Sequence, residues 1–323
     1  MAGFLLRRAA QSVAVLFAVA TLTFFLLHLA PGDPLDAIAS DARIPSDVRD
    51  SLRVRFGLDQ PLAIQYARHL TGIVQGEFGY STSQHRPVGD VMADVIPNTL
   101  LLMGAAMFLA FAGGIVLGAL QGGRADSRFD RIASALTTTM ATLPDFWLAS
   151  GVSLVFAHKL RWLPIAGKVD PAMHMLLSPG AQILDVLRHM ALPVFSLVVI
   201  AGSVVARYQR AALLDIWSED YVRTALAAGV PWRRRLYHHA LRNALLPIIT
   251  IFGLSLPSLV GGAVFVETVF AWPGIGRLAV EGLLLRDYAL VLGVVIVTSA
   301  LVALGSLLAD VLHGVADPRM RNG

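Results

Sequence analysis

Six segments of this chain run for 17 to 26 residues with at most one Asp, Glu, Lys or Arg in each. They are Ala9–Ala30, Thr99–Leu120, Ile132–Ala157, Met190–Ala206, Ala244–Phe265 and Ala289–Ala309. A 22-residue run coiled as a helix reaches about 33 Å, enough to cross a hydrocarbon core of roughly 30 Å. The runs are continuously apolar and show no period-two alternation, so helices rather than barrel strands follow. Only 15% of the 323 residues are charged, against about 25% in a soluble domain. That balance excludes a soluble globular protein and a disordered one. Zero cysteines exclude a disulfide scaffold, a cysteine nucleophile, an iron–sulfur cluster and a thiolate zinc site. The expected fold class is an all-α polytopic membrane protein with six transmembrane helices.

The net charge of +4 has two readings, nucleic-acid binding or basic residues held on the cytoplasmic side of a membrane, and the arginine positions choose between them. With the N-terminus inside, segments 1–8, 121–131, 207–243 and 310–323 carry 14 Lys/Arg in 70 residues. The short outer segments 158–189 and 266–288 carry 6 in 55. The long outer segment 31–98 counts for little, because long loops cross largely regardless of charge. Both termini are therefore expected in the cytoplasm, and no nucleic acid is expected as a partner. The first run, preceded by Arg7-Arg8, is too long for an ordinary signal-peptide core and lacks a small-residue cleavage site before Pro31, so it reads as a retained span.

The chain divides into residues 1–30 (tail and first helix), 31–98 (a periplasmic cap), 99–310 (five further helices) and 311–323 (a cytoplasmic tail). The cap opens with a turn at Pro31-Gly32-Asp33-Pro34. Val48, Leu52 and Phe56 then suggest a short amphipathic helix ending at Gly57, and a second follows Pro61 and stops before Gly72. Gly76, Gly79 and Pro87 mark a loop, and Val88–Val95 is a last helical piece. About 68 residues make too small a core for an independent binding domain.

Segment 207–243, between the fourth and fifth spans, carries the strongest local pattern. A polar helix through Ala228 should end at Gly229, a residue type suited to the left-handed position after a helix. Pro231 can open the next helix, where its missing N–H is harmless. The small residues Thr224, Ala225, Ala228 and Gly229 would let a partner approach closely. An ordinary basic inner loop accounts for the same composition.

These residues resemble a known family. Asp220-Tyr221-Val222-Arg223-Thr224-Ala225, then Gly229, then His239-Ala240-Leu241-Arg242-Asn243-Ala244-Leu245-Leu246-Pro247 look like the conserved cytoplasmic loop of ABC importer permeases. The nearest branch is the dipeptide/oligopeptide/nickel family, first of its two membrane subunits. Further matches follow in order: Pro31-Gly32-Asp33-Pro34, Phe56-Gly57-Leu58-Asp59-Gln60-Pro61, Gly76-Glu77-Phe78-Gly79, Pro97-Asn98-Thr99, Glu267-Thr268-Val269-Phe270-Ala271-Trp272-Pro273-Gly274-Ile275-Gly276, Arg286-Asp287-Tyr288 and Asp317-Pro318-Arg319. Each is short; together they span nearly the whole chain. One departure is that the general pattern's Glu-Ala-Ala reads Arg223-Thr224-Ala225 here, so a glutamate salt bridge to an ATPase does not carry over.

The resemblance implies a bacterial inner-membrane permease subunit importing di- or oligopeptides, or a related small solute such as nickel. Its implied partners are a second homologous permease subunit, two ATP-binding cassette ATPase subunits, a periplasmic substrate-binding protein and membrane lipid. ATP and Mg would sit in the partner subunits. The sequence agrees on one point, since it has no G-x-x-x-x-G-K-[ST] loop to cradle phosphates. The chain is thus not expected to be an enzyme or to bind a cofactor itself. By the resemblance, Asp220, Tyr221, Arg223, Thr224, Ala225, Gly229 and Arg233 would couple it to the ATPase.

Candidates for the translocation pathway or gate are Asp145, Glu267 and Trp272. Asp145 lies inside the third run, where acids usually face a cavity or partner. It could meet substrate, pair with another helix, or cap a helix broken at Pro144. Glu267, at the outer end of the fifth run, could line the gate or pair with Arg277. Trp272 follows in the same turn, where packing or interfacial anchoring is the plainer role. His238-His239 point to different helix faces and make a poor metal pair. The competing classes are an ion-coupled secondary transporter, which needs its own coupling-ion site and no ATPase, and an intramembrane hydrolase, for which no nucleophile–base group is evident.

Overall fold

The computed structural model of the chain describes residues 2–29, 59–261 and 263–316. The turn expected at 31–34, the helix expected over 48–57, Gly262 and the motif at 317–319 lie outside the described residues. The described residues are mostly helical. In order, the main helices are α1 (Ala2–Leu29), α2 (Leu62–Gln75), α3 (Val88–Gly122), α4 (Arg128–Thr142), α5 (Asp145–Val152), α6 (Pro179–Trp217), α7 (Asp220–Ala227), α8 (Leu246–Ser255), α9 (Val264–Val269), α10 (Ile275–Leu284) and α11 (Tyr288–Ala316). One two-residue hairpin, β1 (Tyr80–Ser81) with β2 (Arg86–Pro87), pairs antiparallel before α3, where the sequence suggests only a loop.

Among the described residues four helices, α1, α3, α6 and α11, are long and apolar enough to cross a membrane, and a bent pair makes a fifth candidate. Two of the six apolar runs are not single helices, the third being interrupted at Pro144-Asp145 as the sequence suggests. The third run is not one helix: α4 ends at Thr142, and Asp145–Lys159 leaves at 106° to it. The physical cause is Pro144, which cannot donate to the ladder and pushes Leu143 into an extended conformation (φ −73°, ψ 136°). The fifth run is cut into α8, a one-turn helix at Ser258–Gly261 and α9, with Pro257 at the first break. The fourth run, by contrast, is the middle of a 39-residue helix. The piece expected at Val88–Val95 continues through Pro97 into α3 without a break. Asn98 Nδ2 donates to the Asp94 carbonyl there (3.1 Å), giving the ladder a side-chain donor beside the proline. Helix α2 runs past Gly72 to Gln75 and ends at Gly76, whose φ is +77°.

The most extensive interface is between α3 and α6. A Cβ on Gly114 would stand 2.7 Å from the Gly202 carbonyl, and one on Gly118 would stand 2.4 Å from that of Ala206. The two backbones therefore touch, as small residues allow in lipid, where dispersion and not water exclusion holds helices together. Helix α1 packs on α11, with Arg8 Nε 3.0 Å from Asp310 Oδ2. At one end of α3, Val88, Val91 and Met92 join Ile275, Leu278 and Leu290 in a closed cluster. At the other end, Leu213, Leu236, Ala240 and Ala244 form a second.

Candidate functional site

The sequence-marked residues fall at the two ends of α3. Near Gly122 stands the short helix α7. It begins at Asp220, in the first turn, where a carboxylate favours the positive end of the helix dipole. It ends in a complete Schellman motif: Gly229 N–H donates to Leu226 O (3.0 Å) and Val230 N–H to Ala225 O (3.0 Å). Gly229 has φ +73°, a left-handed conformation that glycine takes without a Cβ penalty. No atom lies within 4 Å of where its Cβ would be. Pro231 then precedes a helical stretch over residues 232–244.

Val222 is the only buried residue of α7. Asp220, Tyr221, Arg223, Thr224, Gly229 and Arg233 are exposed, and Ala225 is half-buried. Exposed Leu226, Trp232 and Tyr237 add apolar surface around them. One side-chain hydrogen bond fixes α7 to the bundle, and a second closes the helix ends behind it. The Tyr221 hydroxyl accepts a hydrogen bond from Asn243 Nδ2 (2.7 Å) and lies 3.4 Å from the His239 carbonyl. Behind it, Trp217 Nε1 donates to the Gly122 carbonyl (3.0 Å), joining the end of α6 to the end of α3. A small polar helix, its face open and its base anchored, is suited to sitting in a socket on another protein.

At the opposite end of α3 is a buried carboxylate. Glu267 is fully buried; its Oε1 accepts from Thr99 Oγ1 (2.9 Å) and its Oε2 from the Arg277 backbone N–H (3.1 Å). Thr99 Oγ1 in turn accepts from Ile275 N–H (2.8 Å). The carboxylate and the threonine together cap the start of α10, whose first N–H groups have no partner in their own helix. A Cβ on Gly274 would fall 2.3 Å from Glu267 Oε1, so the loop folds directly over the acid. Trp272 is also fully buried, and its Nε1 donates to the Asn98 carbonyl (3.0 Å). Asn98 Nδ2 reaches the Pro273 carbonyl (2.9 Å), while Lys168 Nζ donates to Asn98 Oδ1 (2.7 Å).

Glu267 and Trp272 thus share one knot, closed by Asn98, Thr99 and Lys168. The side chain of Arg277 turns away from Glu267, to Glu281 Oε1 (2.7 Å) and the Ala271 carbonyl. A second acid nearby was given no role by sequence. Asp287 is buried and accepts from Ser81 Oγ (2.6 Å), Ser83 N–H (2.9 Å) and Ser83 Oγ (2.8 Å) through Oδ2, and from Leu290 N–H (3.0 Å) through Oδ1. It ties the hairpin to the start of α11. The only sequence signal for Asn98, Thr99 and Asp287 was membership of the motifs Pro97-Asn98-Thr99 and Arg286-Asp287-Tyr288.

Asp145 is exposed, in the first turn of α5 directly after Pro144. It takes no part in the Glu267 knot. Among the described residues no group of three His, Asp or Glu side chains could hold a metal ion.

Comparison with known proteins places the chain in one family. Residues 114–322 match the family described as binding-protein-dependent transport system inner membrane component, and residues 1–103 match its N-terminal membrane component. The chain is 36% identical to the oligopeptide transport system permease protein AppB of Bacillus subtilis, over 99% of each chain. It is 34% identical to the di/tripeptide transport system permease protein DppB of Pseudomonas aeruginosa, over 100% of this chain and 99% of that one. The dipeptide transport system permease protein DppB of Escherichia coli K12 gives 34% over the same shares. The chain belongs to the family of binding-protein-dependent transport system inner membrane components. It is a transport permease of the inner membrane and not an enzyme. Membership implies a binding protein and an ATPase as separate partners.

Proposed function

We propose that this chain forms half of the translocation pathway of an ATP-driven importer of di- or oligopeptides. The observation that carries the reading is α7: an exposed helix ended by Gly229 and anchored through Tyr221 and Trp217, in a chain similar end to end to peptide permeases. The ion-coupled alternative has no comparable support. The complete assembly contains a second homologous permease subunit, two ATPase subunits holding ATP and Mg, and a periplasmic binding protein. The chain crosses six times with both termini in the cytoplasm. Spans three and five are the broken ones, which is tolerated where neighbouring protein or a cavity satisfies the freed backbone groups.

In this arrangement α7 sits in a socket of one ATPase, with Asp220, Arg223, Thr224, Ala225 and Arg233 on the contact face. Closure of the ATPases displaces α7. The Tyr221–Asn243 bond and the cluster of Leu213, Leu236, Ala240 and Ala244 pass the displacement into residues 232–244 and α8. The breaks between α8 and α9 let that movement become a bend. The Glu267 knot holds the far end fixed on the periplasmic side, close to the gate. Asp145 faces the pathway or the second permease subunit, since an acid at that depth is costly against acyl chains.

Gentle detergent extraction of the tagged chain, with mass spectrometry of what accompanies it, tests the reading. Recovery of a second permease and of chains bearing phosphate loops, with peptide-stimulated ATPase activity when the binding protein is added, is the expected result. A homo-oligomer free of any ATPase yet active in gradient-driven uptake would overturn it.

A further inference from the structure

Between α4 and α6 lies an open cleft of about 620 Å³. Ser134 and Thr138 line it from α4; Arg207, Tyr208 and Arg210 line it from α6. A spacing of four places the two hydroxyls on one face of α4, and Arg207 and Tyr208 share the facing stripe with Val204 and Ala211. The two arginines differ. Arg210 is committed to Asp130, with Nε 2.6 Å from Oδ1 and Nη2 2.8 Å from Oδ2. Asp130 is buried and also holds Ser134 Oγ (3.2 Å) and Asp126 N–H (3.0 Å). Arg207 is exposed and, like the Tyr208 and Thr138 hydroxyls, makes no side-chain hydrogen bond or ion pair among the described residues. None of the lining residues is acidic. The cleft therefore offers one uncommitted guanidinium and two uncommitted hydroxyls.

On the six-span topology proposed above, Arg207 stands just past the cytoplasmic end of the fourth span. Thr138 lies about 9 Å into the third, at 1.5 Å per residue. Ile132 and Leu136, on the opposite side of α4, are exposed and apolar and suit lipid. The hydroxyls on the cleft side find no partner among acyl chains, so that side faces the aqueous path, with the Arg207 guanidinium at its cytoplasmic mouth.

We infer that this cleft is an inner subsite of the pathway, which receives the terminal carboxylate of the peptide in transit. Arg207 pairs with the carboxylate, for which its planar fork is suited, and the Thr138 and Tyr208 hydroxyls hydrogen-bond the adjoining peptide group. The inference rests on the peptide-import reading. An anionic lipid headgroup presents similar charge, but its acyl chains would need apolar walls where Ser134 and Thr138 stand.

The test uses the assembled transporter. Because the chain has no cysteine, Thr138→Cys introduces a single thiol at the cleft in this subunit. Its labelling is followed with two methanethiosulfonates, one bearing a sulfonate and one a trimethylammonium group. We expect the anionic reagent to react at least about fivefold faster than the cationic one relative to a free thiol, given a single uncommitted cation beside the site. The preference should vanish with Arg207→Gln and persist with Arg207→Lys. A free dipeptide should slow labelling, and the same dipeptide amidated at its C-terminus should not. No labelling, no charge preference, or equal protection by the amide would overturn the subsite. Protection that follows added phosphatidylglycerol and ignores the dipeptide would assign the cleft to lipid, and overturn it equally. Peptide-stimulated ATPase activity in the same preparation separates the two readings. Its absence removes the import reading and the subsite together. Its presence without carboxylate-dependent protection removes the subsite alone.

Discussion

At one end of α3 the Glu267 carboxylate is wrapped by its own chain; at the other, α7 exposes most of its own residues. The knot is closed by partners inside the protein: Thr99, the Arg277 amide, Asn98, Trp272 and Lys168. Helix α7 has one buried side chain, Val222, and a free face. The difference teaches where each end finds its energy. A saturated buried network gains its stability within the chain and resists movement, because each member lost leaves a buried group unsatisfied. An exposed helix of eight residues is too short to be stable alone and gains from docking. On the coupling proposed above, the first end stays still and the second is moved.

The widest gap between the two ends should come from Glu267→Ala. It strips the acceptor from the Thr99 hydroxyl and the Arg277 amide, at about 1–3 kcal/mol for each unsatisfied group. Thermal unfolding of the purified protein should shift down by several degrees and membrane yield should fall. Glu267→Gln keeps the shape and one acceptor and should recover part of the loss. An unchanged melting temperature for Glu267→Ala would break the comparison, since the knot would then not be what stiffens that end.

Gly229→Val should leave the melting temperature nearly intact while lowering peptide uptake by about tenfold. A β-branched residue at φ +73° costs roughly 1–2 kcal/mol, spent on unwinding the end of α7 and not on the bundle. Uptake at the native level would remove α7 from the coupling path. Tyr221→Phe should have the smallest effect. It deletes one half-exposed hydrogen bond to Asn243, worth about 0.5–1.5 kcal/mol, and should reduce uptake a few-fold at unchanged ATPase rate. A parallel fall in both would mean that Tyr221 binds the ATPase and does not transmit its motion.

Much of this was legible in the sequence, but unevenly. The glycine-terminated α7 was readable because a left-handed residue after a helix and a proline at the next helix start are local demands. The six apolar runs were readable for the same reason. The knot was not. Thr99 and Glu267 are 168 residues apart, and the sequence offered Glu267 only a place at the gate or a pairing with Arg277. The structure instead sends the Arg277 side chain to Glu281 and keeps only its amide for Glu267. The Asp130–Arg210 pair, 80 residues apart, was equally out of reach.

Prolines show the division most directly. Pro97 and Pro193 lie inside unbroken helices, whereas Pro144 stands at a bend of 106°. Each removes the same donor and introduces the same clash, so the local chemistry is identical. The sequence by itself determined that this chain enters a membrane and carries a glycine-ended helix between its fourth and fifth apolar runs, because burial of continuous apolar runs and a positive φ depend on neighbouring residues alone. Which helices break, which acid is buried and which arginine is left uncommitted were decided by the tertiary structure, because each depends on groups supplied from distant parts of the chain.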